Sequence, residues 1–182
     1  MFKYQQSIRQ KIIFGYFAGV AVIIGLSLFT TMELWYIEKK VQFGEVISEF
    51  FDTTLEIRRF EKNFFLYEHI EDYQENMGYV TKAQEILDKN YKEYQRLAVA
   101  AQLNKVKENL GEYKLLMEKF LPKGRLNEEQ SLKLEGAIRE KGKEIITVAE
   151  NVSKTERERL QMLLNKIQKV LVALLDRHLL PP

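Results

Sequence analysis

The chain has 182 residues, carries 28 basic and 26 acidic side chains and has no cysteine. That length holds one ordinary domain, or one domain with a membrane anchor, and the lack of cysteine excludes a disulfide scaffold, a thiolate zinc site and a cysteine nucleophile. A formal charge of +2 gives no reason to expect a nucleic-acid partner, and the two histidines, His69 and His178, are too distant in sequence to suggest a metal site.

The prolines are Pro122, Pro181 and Pro182, so the first 121 residues contain no proline break. Proline inside a helix costs roughly 3 kcal/mol, and its absence favours long helices. Residues 1–11 form a short basic tail with Lys3, Arg9 and Lys11. Residues 12–32, IIFGYFAGVAVIIGLSLFTTM, carry no charge. About 20 helical residues cross a 30 Å hydrocarbon core, so this segment is predicted to span a membrane. Gly15 and Gly19 form a GxxxG spacing that permits close helix approach. No acidic residue precedes Glu33, and the positive-inside rule places the N-terminus in the cytoplasm. A cleaved signal peptide is the competing reading. Its apolar region is usually shorter, about 7–15 residues, and ends in a small-residue site that Thr30-Thr31-Met32-Glu33 does not supply.

Residues 33–160 are predicted to form an all-α, up-down antiparallel bundle with long first and last helices. Val46, Phe50, Thr53, Ile57, Phe60, Phe64 and Tyr67 alternate steps of four and three, and no turn signal separates them from the apolar run. One helix is therefore expected from the anchor to about Tyr67. A second stripe runs through Ile70, Tyr73, Met77, Val80, Gln84, Leu87, Tyr91, Tyr94 and Ala98. A third runs through Leu103, Val106, Leu110, Tyr113, Met117 and Phe120. The irregular step between them marks either a turn near Ala98–Gln102 or a slip within one helix. Leu121-Pro122-Lys123-Gly124-Arg125 reads as a loop, with Asn127 or Ser131 as the next cap. The last stripe is Leu134, Ile138, Gly142, Ile145, Ala149 and Val152. Thr155–Arg159 is expected to be solvated, and residues 161–182 form an amphipathic tail.

One segment concentrates charge among aromatics: Leu55-Glu56-Ile57-Arg58-Arg59-Phe60-Glu61-Lys62-Asn63-Phe64-Phe65-Leu66-Tyr67. On a helix, Arg58 and Glu61 lie three apart beside the core stripe and can pair. They form either a structural ion pair fixing register, or a site where an arginine between helices binds a carboxylate ligand in bidentate geometry. Arg59 and Lys62 share another face. The candidate ligand-binding residues are Arg58, Arg59, Glu61, Lys62 and Asn63. Phe60, Phe64, Phe65 and Tyr67 are expected in the core. No glycine-rich phosphate loop, paired-histidine spacing or nucleophile elbow occurs, so no catalysis, cofactor or metal is expected.

The basic tail, the anchor and the string IRRFEKNFFLYEHIEDYQENMGYVTKAQEIL resemble the extracytoplasmic helical-bundle sensor region of bacterial transmembrane histidine kinases and chemoreceptors of the helical bimodular or four-helix type. The resemblance covers roughly residues 3–165 and centres on Arg58–Leu66, followed by Glu71-Asp72-Tyr73. It implies a homodimeric module of a two-component-type receptor in the bacterial inner membrane, its bundle outside, sensing a small molecule such as an organic acid between helices. It also implies a second membrane helix followed by a linker and an output domain. Here Leu160–Leu175 resembles only the start of that helix, and no output domain follows, so the sequence reads as a sensor half cut short. A membrane scaffold whose bundle binds another protein is the alternative.

Overall fold

The computed structural model describes residues 8–95, 99–121 and 127–179. These residues form five helices and no strand: α1 Ile8–Tyr67, α2 Ile70–Lys89, α3 Tyr91–Tyr94, α4 Ala100–Phe120 and α5 Glu128–Leu179. The chain divides into two compact units, residues 1–42 and 43–182. The expected all-α architecture is found.

The first unit contains the N-terminal part of α1, which holds one segment long and apolar enough to cross a membrane. None of that segment is covered by protein, and its large side chains, among them Phe14, Phe17, Ile23, Leu26 and Phe29, stand exposed. Two of its hydroxyls bond within the helix: the Thr30 hydroxyl donates to the Leu26 carbonyl and the Thr31 hydroxyl to that of Ser27, each at 2.9 Å. A Cβ on Gly15 or Gly19 would meet nothing within 4 Å. Beyond the run, the ammonium groups of Lys39 and Lys40 lie 5.5 Å and 5.6 Å from the ring centroids of Trp35 and Tyr36. Aromatic rings with cationic neighbours at the end of an apolar run suit a membrane–water boundary.

In the second unit the side-chain pairings fix the direction of each helix. From α1 to α2, Glu49 meets Lys82, the Ile57 carbonyl meets Asn76, and Asn63 meets Asp72. The numbers run oppositely, so the two helices are antiparallel. Asp88–Lys107 and Asn76–Tyr113 make α2 and α4 antiparallel as well. On α5, Arg157 meets Ser48 while Gly142 lies against Arg58, so α5 runs antiparallel to α1. This is the expected up-down order. The core is built from Ile47, Phe50, Ile57 and Phe64 of α1, Val80, Ala83 and Leu87 of α2, Leu103–Met117 of α4, and Ile138–Val152 of α5.

The ends of the helices show local chemistry. Glu68 closes α1 in the left-handed region (φ 57°), its N–H donating to the Phe64 carbonyl at 2.9 Å. Glu71 and Asp72 occupy the first turn of α2, where the helix dipole favours acids. At the start of α5 the Asn127 side chain accepts from the Gln130 N–H at 2.8 Å, and the Gln130 side chain accepts from the Asn127 N–H at 3.2 Å. This reciprocal box makes Asn127 the cap.

Three expectations are corrected. The second helix does not continue to Ala98: α2 stops at Lys89. The Asn90 side chain donates to the Ile86 carbonyl at 2.8 Å, competing with the backbone for that acceptor and ending the ladder. The break therefore begins at Asn90; Ala98 lies outside the described residues, and the expected turn is met at Val99, the N-cap of α4, with Gln102 already helical. The buried face of α1 is broader than the predicted stripe: it keeps Phe50, Thr53, Ile57 and Phe64, adds Ile47, Thr54 and Glu61, and leaves Tyr67 59% exposed. Finally, Thr155–Arg159 is not a wholly solvated face. Ser153 and Glu156 are buried, and Glu156 accepts from Arg159 at 2.8 Å, because the stripe of α5 continues through polar residues.

Candidate functional site

The five residues of the candidate site separate onto three surfaces. Arg58 and Glu61 turn into the bundle and form an ion pair through Arg58 Nη1 and Glu61 Oε1. Arg59 stands largely exposed, paired with Glu56 at 2.5 Å and with its guanidinium 4.5 Å from the Phe60 ring centroid. Lys62 is exposed. Asn63 reaches toward Asp72 at 3.5 Å, beside the α1–α2 turn. His69, at the same turn, is exposed, as the sequence predicts. A helix advances about 100° per residue, so neighbours in sequence cannot share one face.

Around Arg58 and Glu61 the other helices bring residues that the sequence alone did not assemble. Asn76 of α2 is fully buried; its side-chain amide donates to the Ile57 carbonyl at 2.7 Å and to the Tyr113 hydroxyl at 2.9 Å. Tyr113 of α4 in turn donates toward the Glu61 carboxylate. Gly142 of α5 supplies the wall. A Cβ there would lie 2.7 Å from Arg58 Nη1, 3.0 Å from Arg58 Cδ and closer still to Glu61 Oε2. The glycine matters by contact, not by backbone conformation: a Cβ there makes the ends of the Arg58 and Glu61 side chains shift. The result is a polar cluster linking three helices, Asn76 of α2 to Tyr113 of α4 to Glu61 and Arg58 of α1, and resting against Gly142 of α5. A spacing signal for Asn76 exists in the sequence, since Asn76, Val80, Ala83 and Leu87 step by four, three and four. Gly142 carries no such signal, because a glycine on an apolar stripe looks like any small core residue.

The electrostatics follow from burial. Glu61 has no solvent exposure, whereas the Arg58 side chain keeps 16%. Desolvation raises the Glu61 pKa above the ordinary carboxylate value, opposed first by the Arg58 charge and its hydrogen bond, then by Tyr113 and the Arg139 charge. The Tyr113 hydroxyl is pushed well up by burial and by the Glu61 charge beside it. Two buried acceptors in the cluster, Glu61 Oε2 and Asn76 Oδ1, have no hydrogen-bond partner. An unpaired buried acceptor costs about 1–3 kcal/mol, so the cluster is a strained part of an otherwise apolar core.

Aromatic packing closes the bundle beyond this cluster. Phe64 meets Tyr73 and Phe120 at 5.7 Å and 6.0 Å, Phe65 meets Phe120 at 5.1 Å, and Phe60 stacks on Tyr79 at 5.5 Å. Phe60, Phe64 and Phe65 thus serve packing, as expected. Arg139 lies 5.0 Å from the Phe65 ring centroid and pairs with Glu135. A surface depression of about 590 Å³ lies instead at the Asn90 break, lined by Asp88, Lys89, Tyr91, Lys92, Glu93 and Lys107. No candidate site residue lines it, and its Lys107 is held by Asp88. Among the described residues no group of histidine and acidic side chains is placed to hold a metal ion. No known protein family, curated protein or solved structure matches the chain.

Proposed function

We propose that the chain is the sensory module of a two-component-type transmembrane receptor: anchored by the apolar part of α1, non-catalytic and homodimeric. In this reading its N-terminus is cytoplasmic and its bundle lies outside the bacterial inner membrane. The observation that carries the reading is the Arg58–Glu61 pair, buried between helices on the same helix that holds the apolar run. The proposed ligand is a small organic acid. Arg58 is the solvent-reachable half of the pair, so an arriving carboxylate meets the guanidinium first and competes with Glu61 for it. Displacing Glu61 loosens the seat against Gly142 and so alters how α1 and α5 pack. Because α1 is one helix from Ile8 to Tyr67, that change is covalently continuous with the anchor.

The test is thermal unfolding of the full chain in detergent against a panel of small acids, amines and sugars. A ligand at 100 times its dissociation constant adds about 2.7 kcal/mol, enough to raise the melting temperature by several degrees. The expected result is a shift with one class of acid that disappears in Arg58→Ala. A panel without any shift contradicts the ligand half of the proposal and moves the weight to assembly with another protein.

A further inference from the structure

The carboxylate of Glu61 is surrounded unevenly. Its own helix brings Arg58, α2 brings the neutral amide of Asn76, α4 brings the phenol of Tyr113, and α5 brings Arg139 and the bare backbone of Gly142. One oxygen holds Arg58; the other faces Gly142 and accepts no hydrogen bond. Asn76 Oδ1, two steps along the same chain of contacts, is also an acceptor without a donor. Both acceptors are buried where no neighbouring side chain supplies a donor. Arg58, unlike Glu61, lies at the edge of the bundle, so it can be rehydrated by a side-chain rotation that leaves the helices packed.

We propose that Glu61 is a proton-binding site whose occupancy decides whether Arg58 stays seated against Gly142 or turns to solvent. In the ionised state Glu61 holds Arg58, and both lie against α5 at Gly142. A proton from solvent binds Oε2 and converts the carboxylate to a neutral acid. Arg58 then has no buried anion to offset its desolvation and moves outward. Glu61 stays behind as a neutral group. The device needs no other ligand and holds whether or not a small acid binds.

The test is a pH titration of the full chain in detergent, following side-chain carboxyl carbons of selectively labelled glutamate and guanidinium nitrogens of labelled arginine by NMR. Glu61→Gln assigns the Glu61 signal, and Glu61→Asp serves equally should Gln not fold; Arg58→Lys assigns Arg58. The expected midpoint for Glu61 lies above 4.5, and the Arg58 signal moves in the same step. Tyr113→Phe raises the midpoint further, because the hydroxyl it removes favours the ionised form. A Glu61 midpoint at or below 4.5 overturns the proposal, as does an Arg58 signal that ignores the step or a midpoint that Tyr113→Phe leaves unchanged.

Discussion

The two sides of the bundle are built from different chemistry. Where α2 meets α4, the core is mostly apolar, with Val80, Ala83, Leu87, Leu103, Val106 and Leu110, and the Asn76–Tyr113 hydrogen bond lies at one end. The buried residues of α1 and α5 themselves include Thr53, Thr54, Glu61, Ser153 and Glu156, and where these two helices meet an ion pair lies against a glycine. Apolar burial is non-directional and barely depends on pH. Buried polar contacts are directional, and their worth changes with protonation and with any competing charge. The α2–α4 side therefore supplies constant stability, and the α1–α5 side is where the molecule can change state.

Substitutions on the two sides sharpen this contrast. Leu110→Ala, in the apolar side, should cost about 2–5 kcal/mol through lost transfer energy and a cavity, with no dependence on pH. Chemical denaturation at neutral and acid pH checks both parts. Gly142→Ala should cost about 1–3 kcal/mol at neutral pH, since its Cβ meets the arginine and the carboxylate. That loss should shrink in acid, where Arg58 has already left. An equal loss at both pH values would mean that the ion pair does not move. Asn127→Ala, distant from either interface, should cost about 1 kcal/mol through the lost cap and respond to neither pH nor added acid. Removing the exposed Lys82–Glu49 pair should leave the melting temperature unchanged, because both partners are solvated.

The sequence announces what depends on period and on turn chemistry. The unbroken apolar run, the stripe Ile138–Val152 and a cap at Asn127 or Ser131 are legible because each is a local pattern, and the hydrogen bonds at the start of α5 then select Asn127. The Asn90 break is not legible, since Leu87, Tyr91 and Tyr94 keep the helical spacing across it, and the side-chain bond from Asn90 to Ile86 that accompanies it has no signal in the spacing. Buried Ser153 and Glu156 are missed for the opposite reason: a polar stretch looks solvated until a neighbouring helix covers it. Within the candidate site, the Arg58–Glu61 pair follows from spacing along one helix. Asn76, Tyr113 and Gly142 come from three other helices, and only their packing shows that they meet.

The most direct measurement is the pH dependence of stability of the full chain compared with Glu61→Gln. Burial holds the folded pKa of Glu61 above its unfolded value near 4.5, so the folded state binds the proton more tightly. The stability linked to Glu61 is then fully present below about 4.5 and is lost as pH rises through the folded pKa. Lowering the pH from neutral should therefore stabilise the wild type relative to the glutamine variant, levelling off near the unfolded value. Parallel curves, or a wild type that weakens relative to Glu61→Gln in acid, would contradict the account.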